Sequence, residues 1–92
     1  MSIVVRFPSS NATKQQYDTV HDALEAAGDW PAEGCLLHVC FGDEKDVRVS
    51  EIWESREQFE RFGQKLRPHL EAAGWNVSAE PEVFEALSVE KF

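Results

Sequence analysis

Two successive β-α-β units predict an α+β domain in which two helices cover one face of a four-stranded antiparallel sheet. Three observations carry that prediction. Short β-rich runs flank two stripes of apolar residues at helical spacing. Each stripe follows a capping-box pair, Thr13 with Gln16 and Ser55 with Gln58. Between the two central runs lies Gly-Asp-Glu-Lys-Asp, residues 42–46, a polar connection of hairpin length. The order βαββαβ is that of a split βαβ, ferredoxin-like sandwich.

The first strand is expected over residues 2–7 and stops at Pro8. After the loop Ser9-Ser10-Asn11, Tyr17, Val20, Leu24 and Ala27 form one helix face, and Gly28 supplies a C-terminal cap. Residues 28–34 (GDWPAEG) are turn chemistry. Strands follow at 35–41 and 47–53. Phe59, Phe62, Leu66, Leu70 and Ala73 then make the second helical stripe. Pro68 lacks an N–H and crowds the preceding turn, so it is expected to kink or restart that helix. Gly74 ends it, a loop of residues 75–81 follows, and the last strand is expected at 82–89.

Ninety-two residues make a single domain, 1–92, which buries only a modest fraction of its surface, roughly 60 to 65%. Its 42% hydrophobic content and ten aromatic residues fit a packed fold. A net charge of −8 repels phosphate backbones and anionic lipid, which argues against nucleic-acid and membrane-surface partners. There is no apolar run of transmembrane length and no secretory leader, so a cytoplasmic location is expected. Cys35 and Cys40 would point to opposite faces of one strand, which disfavours a disulfide. His21, His38 and His69 are scattered over three elements, so no metal site is indicated.

Strand alternation sorts the remaining candidates. Ile3, Val5 and Phe7 oppose Val4 and Arg6. Leu37, Val39 and Phe41 oppose Leu36, His38 and Cys40. Val47, Val49, Glu51 and Trp53 oppose Arg48, Ser50 and Ile52. The more apolar sets are expected under the helices, and Arg6, His38, Arg48 and Ser50 on the open face. A bulge would swap the faces beyond it. The open face is half apolar, which calls for a partner, and a homodimer closed through the two sheet faces is expected.

The element order, the strand end Ile52-Trp53-Glu54-Ser55 and the helix start Arg56-Glu57-Gln58-Phe59-Glu60-Arg61-Phe62 together resemble a known family. It is the dimeric α/β-barrel superfamily, in its antibiotic-biosynthesis-monooxygenase-like branch. The resemblance spans nearly the whole chain and implies the fold and the dimer. The superfamily contains cofactor-free oxygenases, haem-degrading enzymes, chlorite dismutases, lactone isomerases and small members with no known activity, so fold alone does not select a reaction. The haem-degrading branch carries an Asn on the first strand, a Trp on the second helix and a later His. Here those positions fall near Arg6 or Phe7, on Phe62, and on His69. Two of the three are absent, which disfavours haem degradation. The cofactor-free branch surrounds an aromatic substrate with Trp, Asn, Tyr and Arg; Arg6, Trp53 and His38 are the counterparts on offer, and no cofactor is implied.

His38 sits mid-strand among apolar neighbours, and imidazole chemistry suits general acid–base work; the plainer role is a half-buried histidine with one hydrogen bond. Arg6 either stabilises a substrate anion or pairs with a carboxylate. Trp53 packs under the second helix near Phe59, or walls a pocket with Phe62, Ser50 and His69. His21 is expected at the surface. Two function classes remain open. One is a cofactor-free monooxygenase-like enzyme for an aromatic or planar small molecule. The other is a non-catalytic, small-molecule-binding or stress-associated dimer.

Overall fold

Local signals start both helices where the sequence places them. In the computed structural model, which describes residues 1–8, 12–75 and 80–92, the order is β1 (Ile3–Phe7), α1 (Lys14–Ala26), β2 (Cys35–Asp43), β3 (Asp46–Trp53), α2 (Arg56–Ala72) and β4 (Glu82–Glu85). The loop Ser9-Ser10-Asn11 and most of the loop expected at 75–81 lie outside the described residues. The sheet runs β2-β3-β1-β4, antiparallel throughout, and the fold is ferredoxin-like.

Both limbs of the first capping box form. Thr13 Oγ1 accepts from Gln16 N–H at 3.1 Å, and Gln16 Oε1 accepts from Thr13 N–H at 2.9 Å. The Gln16 amide also donates toward the carbonyls of Ala73 and Gly74, which tethers the start of α1 to the end of α2. At α2 only the forward limb forms, Gln58 N–H to Ser55 Oγ at 3.2 Å. The Gln58 side chain instead takes the Ser55 hydroxyl and turns toward Glu54.

Three element bounds differ from expectation. The helix α2 runs unbroken through Pro68; Pro68 and Gln64, whose carbonyl loses its helical partner, both lie on the exposed side of the helix. The hairpin is tighter than expected, with a two-residue turn at Glu44-Lys45 between the paired Asp43 and Asp46, and Gly42 adopts φ 103° beside it. Strand β4 ends at Glu85, not 89. Its partner β1 starts at Ile3, opposite Glu85, and only the bond from Ala86 N–H to the Ser2 carbonyl extends the ladder.

The largest difference lies in β2. Cys35 pairs with Trp53, but Leu37 pairs with Ile52, so one extra residue, Leu36, is accommodated as a bulge. Past it the faces of β2 are reversed. His38 and Cys40 stand opposite Glu51 and Val49 on the helix-covered face, while Leu37, Val39 and Phe41 go to the open face. The expectation that His38 joins Arg6 and Ser50 on the open face is therefore overturned. So is the expectation that the two cysteines point to opposite faces; both are free thiols on the covered side.

The core lies between that covered face and the helices. Ile3, Val5, Val20, Leu24, Trp53 and Phe62 form it, and Trp53 and Val5 are fully buried. The ring of Trp53 meets Phe59 edge-on at 5.7 Å and Phe62 at 5.4 Å.

Candidate functional site

Strand β3 alternates Val47, Val49, Glu51 and Trp53 toward the helices. That pattern carries a carboxylate into the core, where Glu51 is only 3% exposed. Such a group needs partners. The Trp53 indole N–H donates to Glu51 Oε1 at 3.0 Å, and His38 Nδ1 lies 2.6 Å from Oε2. On its other side, His38 Nε2 lies 2.7 Å from the Tyr17 hydroxyl. The four side chains form one line, Tyr17–His38–Glu51–Trp53.

Donors and acceptors along the line follow from its ends. The indole can only donate, so Glu51 accepts there. A carboxylate accepts again from His38 Nδ1–H, which leaves the Nε2 lone pair to accept the Tyr17 O–H. A buried acid thus orients an imidazole, and the imidazole holds a hydroxyl, which is the positioning logic of catalytic triads. Burial first, and then negative charge at Cys40, Glu51 and Asp18, pushes the Tyr17 phenol from 10.0 up to about 12. Tyr17 therefore stays a neutral hydroxyl across ordinary pH. Burial, followed by the Glu51 charge, raises the Cys35 thiol to about 11, and burial raises Cys40 as well. Neither cysteine has the character of a nucleophile.

Backbone ties hold Tyr17 over His38. The hairpin tip is bonded to the start of α1 by Lys14 N–H to the Glu44 carbonyl at 2.7 Å and by Val47 N–H to the Ala12 carbonyl at 2.9 Å. Tyr17 follows one helical turn later. Trp30, from the loop between α1 and β2, closes the other side, edge-on to His38 at 4.9 Å and 5.6 Å from Phe62.

These groups border a cavity of about 920 Å³ between the helices and the covered face of the sheet. Its apolar lining includes Phe7, Val20, Leu24, Trp30, Phe59 and Phe62; Tyr17, His38 and Glu51 are polar groups of that lining, and α2 adds charged ones, Glu60, Arg67 and Glu71. Size and lining are those of a small-molecule site.

Of the residues singled out from sequence, His38 and Phe62 border this cavity. Trp53 lies beneath it as core and holds Glu51. Arg6 and Ser50 are cross-strand neighbours on the opposite face, because β1 and β3 alternate regularly and only β2 carries the bulge. His69 lies in the last turn of α2 and does not border the cavity. His21, expected at the surface, is two-thirds buried and stacks on Tyr17 at 5.9 Å. Its Nδ1 lies 3.0 Å from Glu25; with Asp22 these form a solvent-facing group on one helix turn.

Sequence reasoning missed Tyr17, Trp30 and Glu51 as site residues. The available signal was Glu51, a carboxylate in phase with two valines and a tryptophan. Tyr17, read as a stripe residue, and Trp30, in a turn, gave no comparable sign.

A ferredoxin-like domain with an aromatic cavity and a buried hydrogen-bonded acid–imidazole–phenol line, both on its helix side, is the class this chain defines. No protein-family model matches the sequence, and no curated protein matches it. Solved structures do match. A protein assigned as an antibiotic biosynthesis monooxygenase from Chloroflexus aurantiacus is 18% identical with a TM-score of 0.62, covering 98% of this chain and 96% of its own. SnoaB, a cofactor-independent oxygenase from Streptomyces nogalater, is 19% identical with a TM-score of 0.61, covering 96% and 93%. A second protein assigned as an antibiotic biosynthesis monooxygenase, from Caulobacter crescentus, is 19% identical with a TM-score of 0.58, covering 97% and 89%. The chain has the fold of these antibiotic biosynthesis monooxygenase domains.

Proposed function

We propose that this protein is a cofactor-independent, monooxygenase-like enzyme acting on an aromatic or planar small molecule with an acidic O–H or C–H. The observation that carries this reading is the Tyr17–His38–Glu51–Trp53 line bordering an aromatic cavity. SnoaB, whose fold the chain shares, is a cofactor-independent oxygenase, which supports the same reading.

In this scheme His38 takes the substrate proton by way of Tyr17, whose own proton moves to Nε2 as it accepts another. Tyr17 then never rests as a phenolate, the form that burial disfavours. Glu51 stabilises the imidazolium. The substrate anion, flat against Trp30, Phe59 and Phe62, reduces dioxygen itself. For an activated methylene the balance is CH₂ plus O₂ to C=O plus H₂O, with the proton returned to the peroxide by His38.

The test is oxygen uptake with a panel of hydroxynaphthalenes and tricyclic aromatic ketones bearing an acidic methylene. Turnover is expected, and His38→Ala should lower it about 10²- to 10⁴-fold. Uptake unaffected by His38→Ala would remove His38 from the chemistry. Thermal stabilisation by the panel without uptake would favour the small-molecule-binding, stress-associated dimer instead.

We further propose a cytoplasmic homodimer. Leu37, Val39, Phe41 and Phe84 are 42 to 53% exposed on the open sheet face, and Leu87 and Phe92 project nearby in sequence. Among the described residues no helix is long and apolar enough to cross a membrane.

A further inference from the structure

Gly63 lies in the interior of α2, where glycine is among the poorest residues. Two ordinary reasons for such a glycine are missing. Its backbone is helical; the left-handed glycines are Gly28, Gly34, Gly42 and Gly74. Nor is it a close-packing site, since a Cβ placed there meets nothing within 4 Å among the described residues. What Gly63 does is border the cavity. At 100° per residue it falls near the middle of the cavity wall that α2 supplies, between Phe59 on one side and Glu60 and Arg67 on the other. The wall therefore has a notch of bare backbone beside a phenyl ring.

The charge around it narrows the occupant further. Glu60, Glu71 and Glu80 border the same cavity with Arg67, and His21 is turned to Glu25. With Glu51, four carboxylates border the cavity against one guanidinium, which disfavours an anion and admits a neutral molecule.

We propose that Gly63 is the specificity-determining position of the cavity, the seat for the face of an uncharged planar ring that enters protonated and is ionised only at His38. This inference rests on the reading of the cavity as a site for a planar organic molecule.

The test titrates wild-type protein, Gly63→Ala and Gly63→Leu with 2-naphthol and with 2-naphthoate by calorimetry, and records Tm for each protein. Gly63→Ala should raise Tm by about 4 °C, because alanine suits a helix better and meets no neighbour. Gly63→Leu should remain folded and bind 2-naphthol about tenfold more weakly or worse. Wild-type protein should prefer 2-naphthol to 2-naphthoate by about tenfold. A lower Tm for Gly63→Ala would mean that protein fills the notch, and would overturn the proposal. Undiminished 2-naphthol binding by Gly63→Leu would overturn it while leaving the cavity reading intact. Wild-type protein that binds neither probe would sink both.

Discussion

The two faces of this sheet differ most at β2, which past its bulge turns His38 and Cys40 inward and its larger apolar residues outward. On the covered face β2 contributes His38 and Cys40, and β3 contributes Glu51 among its valines. On the open face the same strand β2 contributes Leu37, Val39 and Phe41. The covered face tolerates polar groups because each finds a partner there; no buried side-chain nitrogen or oxygen among the described residues lacks one. The open face carries this row of exposed apolar side chains beside Arg6 and Ser50. A polar residue under the helices thus marks a candidate site, and an apolar row away from them marks a candidate interface.

That contrast can be broken most forcefully at Trp53. Trp53→Ala should cost about 3–5 kcal/mol in urea denaturation, from lost core and a lost donor to Glu51. Trp53→Phe keeps a single aromatic ring but removes the indole N–H and part of the buried volume, so it should cost about 1–3 kcal/mol. A Trp53→Ala variant as stable as the wild type would place the core elsewhere.

The open face is tested next. Phe41→Glu should weaken self-association about 30-fold or more in sedimentation, as truncating an interface hot spot does, and should leave the protomer folded because Phe41 supports no core residue. Wild-type protein that sediments as a monomer would end the proposed pairing.

The smallest effect is expected from deleting Leu36. Because Cys35 pairs with Trp53 and Leu37 with Ile52, the deletion removes only the bulged residue and keeps the register beyond it. Stability should change by about 1 kcal/mol or less, and the downfield proton resonance of His38 Nδ1–H toward Glu51 should persist. Its loss would show that the bulge itself, and not the pairing beyond it, holds His38 against Glu51.

Much of the architecture was legible because its signals are local. Thr13 with Gln16, and Ser55 ahead of Gln58, start helices through bonds that span three residues. Apolar spacing located both helix stripes, and regular alternation in β1 and β3 put Val5, Glu51 and Trp53 under the helices. Element order then implied the ferredoxin-like sandwich. What the chain alone did not disclose depends on pairing between distant segments. The face of His38 turns on one residue inserted at Leu36, which is visible only against β3. The limit of β4 is set by where β1 begins. The contact between Tyr17 and His38, 21 residues apart, exists because the hairpin tip is bonded to the start of α1. The sequence by itself determined the elements and their order, since periodicity and caps act within a few residues. The tertiary structure alone decided the site, since a hydrogen-bonded line of four side chains from three elements requires the register, the bulge and the helix docking to agree at once.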